Sequence, residues 1–307
     1  MNKAVYIIFL VLVIAFVGMS IVKAWYWPST SYDAIAGYDL YGKLIAEGVN
    51  PYKLQSIQEG AGNRGKIPPL VPLGLALFKI VGLNSQLLMS LILLITCLLL
   101  YFNIKNKTHA IIAVFLLVVT PEFIAFSSIV NTNTAVALFV LGGVIFLNKN
   151  VWLSIIFFSL AVLSRSDAVI FILIAFLFKD SRILLALIPF AMWQAYMLSG
   201  SGVFGFPTFG NLQILGHSIL EQFLGMQKFG ITFIAFFGVA LFRRHNRKQV
   251  DLVYLIIAFF AGNALLYLCL NPEVMGSSYQ HIINASFKRS LFTFVPLCWY
   301  YVWRIDD

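Results

Sequence analysis

Residues 1–25 read MNKAVYIIFLVLVIAFVGMSIVKAW, and this stretch decides the fold class. A helix needs about 20 consecutive apolar residues to span the hydrocarbon of a bilayer, and the run from Ala4 to Val22 provides them. The run is longer than the apolar core of a typical signal peptide, and no small-x-small cleavage site follows it. We therefore predict that it is the first transmembrane helix, with the N-terminus inside.

The composition of the whole chain agrees with a membrane protein. Apolar residues make up 61% and charged residues 11%, and the mean hydropathy is +0.90. The net charge of +9 comes from basic residues scattered singly or in short loop clusters, which is typical of residues that set membrane topology. We therefore expect membrane lipids, and no nucleic acid, as partners. Cys97, Cys269 and Cys298 lie in apolar stretches, so packing is their expected role.

Further apolar stretches predict the remaining spans. They are 84–102, 109–126, 132–147, 151–164, 166–178, 183–199, 230–243, 250–270 and 289–304. Several are shorter than a full span, which indicates tilted helices or helices that meet a thinned, protein-lined cavity. The predicted fold is an all-α polytopic membrane protein, a single integral membrane domain over 1–307 with about ten transmembrane helices.

The segment 67–82, IPPLVPLGLALFKIVG, is the difficult one because it is short and rich in proline. Positive charge decides its placement. The loop RRHNRK at 243–248 is the strongest inside marker, and Lys105, Lys149 and Lys179 mark weaker ones. All of these loops fall inside only if 67–82 does not cross. We predict a half-embedded outer helix and ten spans in the inner cell membrane, with both termini cytoplasmic; an eleven-span arrangement stays open.

On the ten-span arrangement most of the 12 acidic residues face outward. The long outer segments are 25–83, 200–229 and 271–288, whereas every inner loop is short, so we expect the chemistry on the outer face. The Gly- and Phe-rich segment 200–229 has the composition of a mobile lid or acceptor-binding loop. The sequence has no nucleotide-binding loop, and an ATP-driven mechanism therefore has no support.

The first outer loop, 25–83, contains a predicted amphipathic helix at 34–47. Asp39, Lys43 and Glu47 are spaced four apart and would form one charged, solvated stripe on that helix. The Gly-Val-Asn-Pro run that follows is a helix stop.

Asp33 stands apart from that stripe. It follows an aromatic belt, 25–27, at the end of the first span. It could cap the helix that begins after it. A carboxylate at the mouth of a membrane cavity is also well placed to take a proton from an attacking hydroxyl, and the two roles are compatible.

The loop reads YDAIAGYDLYGKLIAEGVNPYKLQ at 32–55 and GNRGKIPP at 62–69. An acid after the first span, a Tyr-rich helix, the run GVNPY at 48–52 and the run KIPP at 66–69 resemble the first outer loop of GT-C glycosyltransferases. The mannosyltransferase-like type, found in bacteria and archaea, is the most similar. The resemblance covers roughly the first 80 residues, the acid lies about one position out of register, and KIPP carries one inserted residue.

This resemblance implies a GT-C type fold, with juxtamembrane helices in the large first outer loop, and an inverting transfer of a monosaccharide. The donor would be a polyprenyl-phosphate sugar and the acceptor a glycan or glycolipid. Asp33 would be the general base, with Asp39 as runner-up because of the register. Contacts to sugar or acceptor are expected from Tyr38, Asn50, Tyr52 and His281. Some members of the family use Mg²⁺ or Mn²⁺ and others use no metal; no tight acidic cluster here compels one, so a divalent cation stays open and no metal ligand is assigned.

Two basic sites are candidates for the lipid phosphate. Arg165 lies at the turn of the predicted hairpin 151–178, and an intramembrane charge is a functional candidate by default. Alternatively, Arg165 has a purely structural role and forms an ion pair with Asp167 or Glu122.

Lys288 and Arg289 lie at the outer edge of the last span, where a lipid phosphate would offset their charge; Lys66 would add a point charge. Alternatively, these basic side chains only extend to the lipid headgroups and bind no substrate. His217 and His281 lie in outer loops, where histidines are commonly just solvated.

The sequence therefore predicts a lipid-linked-sugar glycosyltransferase. A polytopic transporter or flippase of glycan precursors is the alternative from another class, and it would carry polar residues through several mid-membrane helices. A polymerase of lipid-linked glycan units is a third possibility.

Overall fold

The computed structural model describes residues 3–27, 34–54, 67–197, 211–243, 247–269 and 278–304. All regular elements in these ranges are helical. The helices of the first half are α1 (Lys3–Tyr26), α2 (Asp39–Ala46), α3 (Leu70–Ile80), α4 (Leu87–Asn103), α5 (Lys107–Val118), α6 (Pro121–Phe126) and α7 (Asn133–Phe146). Those of the second half are α8 (Val151–Ser164), α9 (Val169–Phe178), α10 (Ile188–Met197), α11 (Leu212–Leu224), α12 (Met226–Phe229), α13 (Thr232–Phe242), α14 (Arg247–Leu268), α15 (Tyr279–Ile282), α16 (Lys288–Ser290) and α17 (Phe294–Trp303).

Among the described residues, two helices are long and apolar enough to cross a membrane: α1 and the part of α14 from Gln249 to Leu268. Only 17% of the most apolar stretch of α1 is buried in the protein. Ile8 and Ile14, for example, are 56% and 62% exposed. A soluble protein does not present so continuous an apolar surface to water, and α1 therefore needs lipid or another apolar partner around it.

The predicted spans coincide with helices, with local differences. The stretch 109–126 is not one helix: α5 ends at Val118, and α6 begins at Pro121 after an extended Thr120. Proline lacks the N–H that a continuing helix would use, and its ring clashes with the preceding turn. The predicted span 183–199 likewise opens with a 3-10 helix at Ser181–Leu187 before α10 begins.

Helix α7 is the centre of the bundle. It is apolar on all sides and nearly all of its side chains are buried, as expected for a helix surrounded by other helices. Small residues let α8 approach it closely. A Cβ built on Gly143 would lie 2.8 Å from Cζ of Phe158, whose ring is fully buried.

Gly143→Ala should therefore destabilise the protein by about 1–3 kcal/mol, because the buried Phe158 ring has no room to yield. The matched control is Gly238→Ala in α13, where a new Cβ meets no atom within 4 Å. That change should be neutral or stabilising by up to about 1 kcal/mol, since alanine favours a helix over glycine. Thermal unfolding in detergent measures both. Equal melting temperatures for the two variants would contradict the close α7–α8 packing.

Successive helices alternate between two ends of the bundle. At the upper end, the start of α4 meets the end of α1, where Asn84 Nδ2 donates to the carbonyl of Trp25 at 3.2 Å. At the lower end, the end of α7 meets the end of α4, where Lys149 Nζ donates to Asn103 Oδ1 at 3.0 Å.

Further contacts extend the alternation to the second half of the chain. Gln249, near the start of α14, donates to the carbonyl of Arg304 at 3.3 Å, so the start of α14 and the end of α17 share the lower end.

Helix α3 breaks this alternation because both of its ends lie at the upper end. Near its start, Ile67 packs in one cluster with Tyr41 of α2. At its end, Lys79 forms an ion pair with Asp39, the first residue of α2. The helix thus lies against α2 rather than running through the bundle.

Candidate functional site

The described parts of the predicted outer loop, residues 34–54 and 67–83, pack together at the upper end. Helix α2 approaches α3 at Gly42, where an added Cβ would lie 2.8 Å from Cβ of Leu75. The helix ends as the sequence predicts: Gly48 follows it with φ of +77°, a left-handed conformation that glycine adopts without strain. The predicted helix 34–47 starts differently, because Ala34–Tyr38 is a π-helical turn that leads into α2.

The run GVNPY forms a small turn beside the bundle. Asn50 Oδ1 accepts a hydrogen bond from the backbone N–H of Tyr52 at 3.1 Å, and Asn50 Nδ2 donates to the hydroxyl of Tyr196 at 2.9 Å. Pro51 begins a 3-10 turn there. Asn50 therefore fixes the turn and connects it to α10.

Tyr52, a predicted sugar or acceptor contact, is mostly buried by aromatic rings. Its ring centroid lies 5.1 Å from that of Tyr41 and 4.6 Å from that of Trp193, both in edge-to-face geometry. Burial raises the pKa of Tyr52 well above its ordinary value, so its hydroxyl stays protonated at neutral pH and is not a base. The Tyr41 hydroxyl is also buried, and it has no hydrogen-bond partner within the described ranges.

Asp39 does not belong to a solvated stripe, and that part of the prediction is wrong. Lys43 and Glu47 are exposed, and Lys43 Nζ lies 3.9 Å from Glu47 Oε1. Asp39 instead turns toward the bundle, where Lys79 Nζ lies 3.1 Å from Oδ1 and the Ser85 hydroxyl donates to the same oxygen at 2.7 Å. Its side chain is 28% exposed. Asp39 thus joins α2 to the end of α3 and the start of α4.

Arg165 lies at the turn between α8 and α9 in a network of oxygen acceptors. Its Nε donates to Asp167 Oδ1 at 2.7 Å, its Nη2 donates to Asp167 Oδ2, and its Nη1 donates to Asn133 Oδ1 at the start of α7. The Arg165 side chain is about one fifth exposed. Of the two structural pairs proposed from the sequence, the Asp167 pair is present and the Glu122 pair is not.

Polar side chains from other segments lie near this turn. Tyr38, directly before α2, and Tyr267, at the end of α14, both lie within electrostatic range of the guanidinium. The Tyr267 hydroxyl also interacts with Ser290, which accepts a hydrogen bond from Asn263 Nδ2 at 2.8 Å. Tyr38 and Leu163, which lies two residues before Arg165, pack against one aromatic cluster. The described part of the outer loop and the segment before α17 therefore both lie beside the hairpin turn.

The second predicted basic site is also paired with an acid. Lys288 contacts the carboxylate of Glu122 at the start of α6. Arg289 and His281 lie on the exposed side of the same segment.

Helix α11 contains the remaining predicted outer-loop histidine, His217, which is exposed. On the same helix, Glu221 pairs with Lys228 at 2.6 Å. The hydrogen bond from Lys228 is the main reason that the pKa of Glu221 is lowered.

Asp33 and Lys66 lie outside the described residues. Sequence reasoning missed Lys79, Ser85, Asn133 and Tyr267, which complete the surroundings of Asp39 and Arg165. Each lies at or beside the end of an apolar helix, and only that position could have singled it out.

The described carboxylates do not suit a divalent cation. No group of three His, Cys, Asp or Glu residues comes together in the described ranges. Asp39, Asp167 and Glu122 are each engaged with a basic side chain. The described residues therefore offer no set of ligands for Mg²⁺ or Mn²⁺.

Comparison of the chain with protein-family models, with curated proteins and with solved structures gives no match.

Proposed function

We propose that this protein is a membrane glycosyltransferase of the GT-C type that transfers one monosaccharide from a polyprenyl phosphate to a glycan or glycolipid. The observation that carries the proposal is the meeting of the outer loop with Arg165. The loop supplies the carboxylates and tyrosines of the GT-C-like motif, and the hairpin supplies a cation suited to phosphate. Tyr38 belongs to the outer loop and lies within electrostatic range of the Arg165 guanidinium, so it connects the loop with the hairpin.

In this proposal the upper end faces outward and the lower end faces the cytoplasm of a cell whose inner membrane the chain crosses about ten times. The lower end carries the loops rich in Lys and Arg, as the positive-inside tendency requires. Helix α8, with 14 residues, rises only about 21 Å, whereas the hydrocarbon is about 30 Å thick. Arg165 would then lie below the outer surface of the membrane.

The reaction would be one displacement. The acceptor oxygen attacks the anomeric carbon, the bond from that carbon to the phosphate oxygen breaks, and the acceptor proton passes to a carboxylate. Polyprenyl phosphate leaves as an anion, and Arg165 stabilises its charge. Asp33 is the proposed base, because the Asp39 carboxylate already holds Lys79 and Ser85.

The pairing of Arg165 with Asp167 is compatible with phosphate binding. A guanidinium has five N–H donors; the bonds to Asp167 and Asn133 use three of them, and the Tyr267 hydroxyl interacts with the same group. These partners would thereby hold the guanidinium in one orientation while a donor that they leave open reaches the ligand.

The test uses the full-length protein in nanodiscs with radiolabelled polyprenyl-phosphate monosaccharides, mannose first, and a glycolipid extract as acceptor. Covalent transfer of a single labelled sugar is expected, and empty nanodiscs are the control. Movement of the labelled lipid between the leaflets of sealed proteoliposomes, without transfer, would instead support a flippase. Joining of preassembled oligosaccharide units would support a polymerase.

A further inference from the structure

Helix α14 carries two polar residues one turn apart, Asn263 and Tyr267, that contact the segment before α17. Asn263 Nδ2 donates to the Ser290 hydroxyl at 2.8 Å, and the Tyr267 hydroxyl interacts with the same Ser290 side chain. Asn263, Tyr267 and Ser290 are only 3%, 5% and 2% exposed. A buried polar network whose members are connected in this way is rigid.

The hydrogen bonds of Ser290 fix the direction of the contact with Tyr267. The Ser290 hydroxyl donates to the backbone carbonyl of Phe287 at 2.7 Å, so its single proton is used. Its oxygen is therefore the acceptor for Asn263, and also for the hydroxyl proton of Tyr267. The lone pairs of the Tyr267 oxygen are then available to a donor on another residue.

Arg165 supplies that donor, because the Tyr267 hydroxyl interacts with the guanidinium as well as with Ser290. Asp167 holds the guanidinium from within the hairpin turn, and Asn133 holds it from the start of α7. Tyr267 adds a contact from a third element, α14. A ligand-binding side chain is held precisely when partners on rigid elements surround it.

The backbone beside this network is irregular. Two π-helical turns occur between residues 3 and 304 in the ranges that the structure describes, Ala34–Tyr38 and Ile283–Phe287. Such turns are rare and frequently lie at functional sites. The first ends at Tyr38, which lies within electrostatic range of Arg165. The second ends at Phe287, whose carbonyl accepts the hydrogen bond from Ser290.

We propose that Tyr267 is a positioning residue for Arg165, held in place by Ser290 and Asn263. This inference rests on the proposed function, in which Arg165 binds the phosphate of the polyprenyl lipid. By accepting a hydrogen bond from the guanidinium, Tyr267 fixes its rotation, so that the donor left open by its partners keeps one direction. Displacement of a positioned group by about 1 Å can cost about 100-fold in rate.

The experiment uses the full-length protein in phosphatidylcholine nanodiscs and measures the binding of undecaprenyl phosphate, a polyprenyl phosphate without a sugar, by native mass spectrometry. Tyr267→Phe removes only the hydroxyl and keeps the ring, whose centroid lies 5.2 Å from that of Phe287. Affinity should fall about 10-fold, because it falls in proportion to the fraction of molecules in which the guanidinium keeps its binding orientation.

Tyr279→Phe is the matched control. The Tyr279 hydroxyl donates to the backbone carbonyl of Tyr267 at 3.1 Å, and Tyr279 is also buried. Its removal therefore disturbs the same neighbourhood and leaves the contacts from Ser290 to Arg165 in place. The affinity of this variant for undecaprenyl phosphate should equal that of the unmodified protein.

Ser290→Ala separates positioning from a general loss of packing. It should weaken lipid binding through Tyr267, about 3-fold, and should have no further effect when it is added to Tyr267→Phe. In the sugar-transfer assay, Tyr267→Phe should lower kcat with the labelled donor and leave KM for the acceptor unchanged.

Equal falls in affinity for Tyr267→Phe and Tyr279→Phe would overturn the inference. Independent, additive losses from Tyr267→Phe and Ser290→Ala would also overturn it, as would the absence of lipid binding in the unmodified protein. Lipid binding that depends on Tyr267 without any sugar transfer would support the role of Tyr267 and count against the proposed function alone.

Discussion

Asp33→Asn is expected to lower the rate of sugar transfer about 10²–10⁴-fold, because a positioned general base contributes that much to a displacement by a hydroxyl. Asparagine keeps the size of the side chain but cannot accept the acceptor proton. The yield and the melting temperature of the protein should stay the same. The measurement is transfer from the labelled polyprenyl-phosphate sugar under single-turnover conditions, compared with the unmodified protein.

Asp39→Asn is the matched control, since it makes the same chemical change six positions later in the same loop. It breaks the ion pair with Lys79 and weakens the contact with Ser85. We expect a loss of about 1–3 kcal/mol in the free energy of unfolding, the range for a hydrogen-bonded charged pair. Transfer by the folded fraction should fall much less than in Asp33→Asn. The reverse pattern, with Asp39→Asn inactive and stable and Asp33→Asn active, would exchange the two roles.

The helices could be predicted from the sequence because their signals are local. An apolar run predicts a helix without knowledge of its neighbours, and the glycine and proline that follow α2 mark its end within a few residues. The turn at Arg165 was predictable for the same reason, since two apolar runs flank it directly. Its pairing with Asp167 is also local, two residues along the chain.

The long-range pairs could not be predicted in this way. Asp39 and Lys79 are 40 positions apart, and Glu122 and Lys288 come from opposite halves of the chain. These residues come together only because of the way whole helices are oriented and packed. The spacing of apolar residues along the chain gives no information about that packing. The sequence therefore suggested a phosphate to offset Lys288, whereas a carboxylate lies against it. The break at Thr120 shows the smaller error that arises when a proline inside an apolar run is treated as part of one helix.

Pairing of these cations changes how a phosphate would be bound. An unpaired cation in the membrane would be costly until the ligand arrived, whereas a paired one is stable in the empty protein. The ligand then takes the donors that the acid leaves open. Of Lys79, Lys288 and Arg165, which each pair with an acid, Arg165 meets this condition best, because a guanidinium has more donors than a lysine ammonium.

Arg165→Gln should destabilise the protein by about 3–5 kcal/mol, because it leaves the partly buried Asp167 carboxylate without its cation. The double variant Arg165→Gln with Asp167→Asn removes both charges and should recover most of that stability. Thermal unfolding of the two single variants and the double variant in detergent measures the coupling between them. Nearly additive losses would show that the pair contributes little to folding.

Activity of the stable double variant separates a structural Arg165 from one that binds the lipid phosphate. If the pair only stabilises the turn between α8 and α9, sugar transfer should return together with the melting temperature. If Arg165 holds the phosphate, the double variant should fold and still lose at least about 100-fold in transfer, the size expected when one donor to a developing charge is removed. Arg165→Lys sharpens the comparison, since it keeps the charge but not the fork that contacts Asp167 and Asn133 together. Full activity in the double variant would show that Arg165 is not part of the proposed site. The assignment of the outer loop to that site would be unaffected.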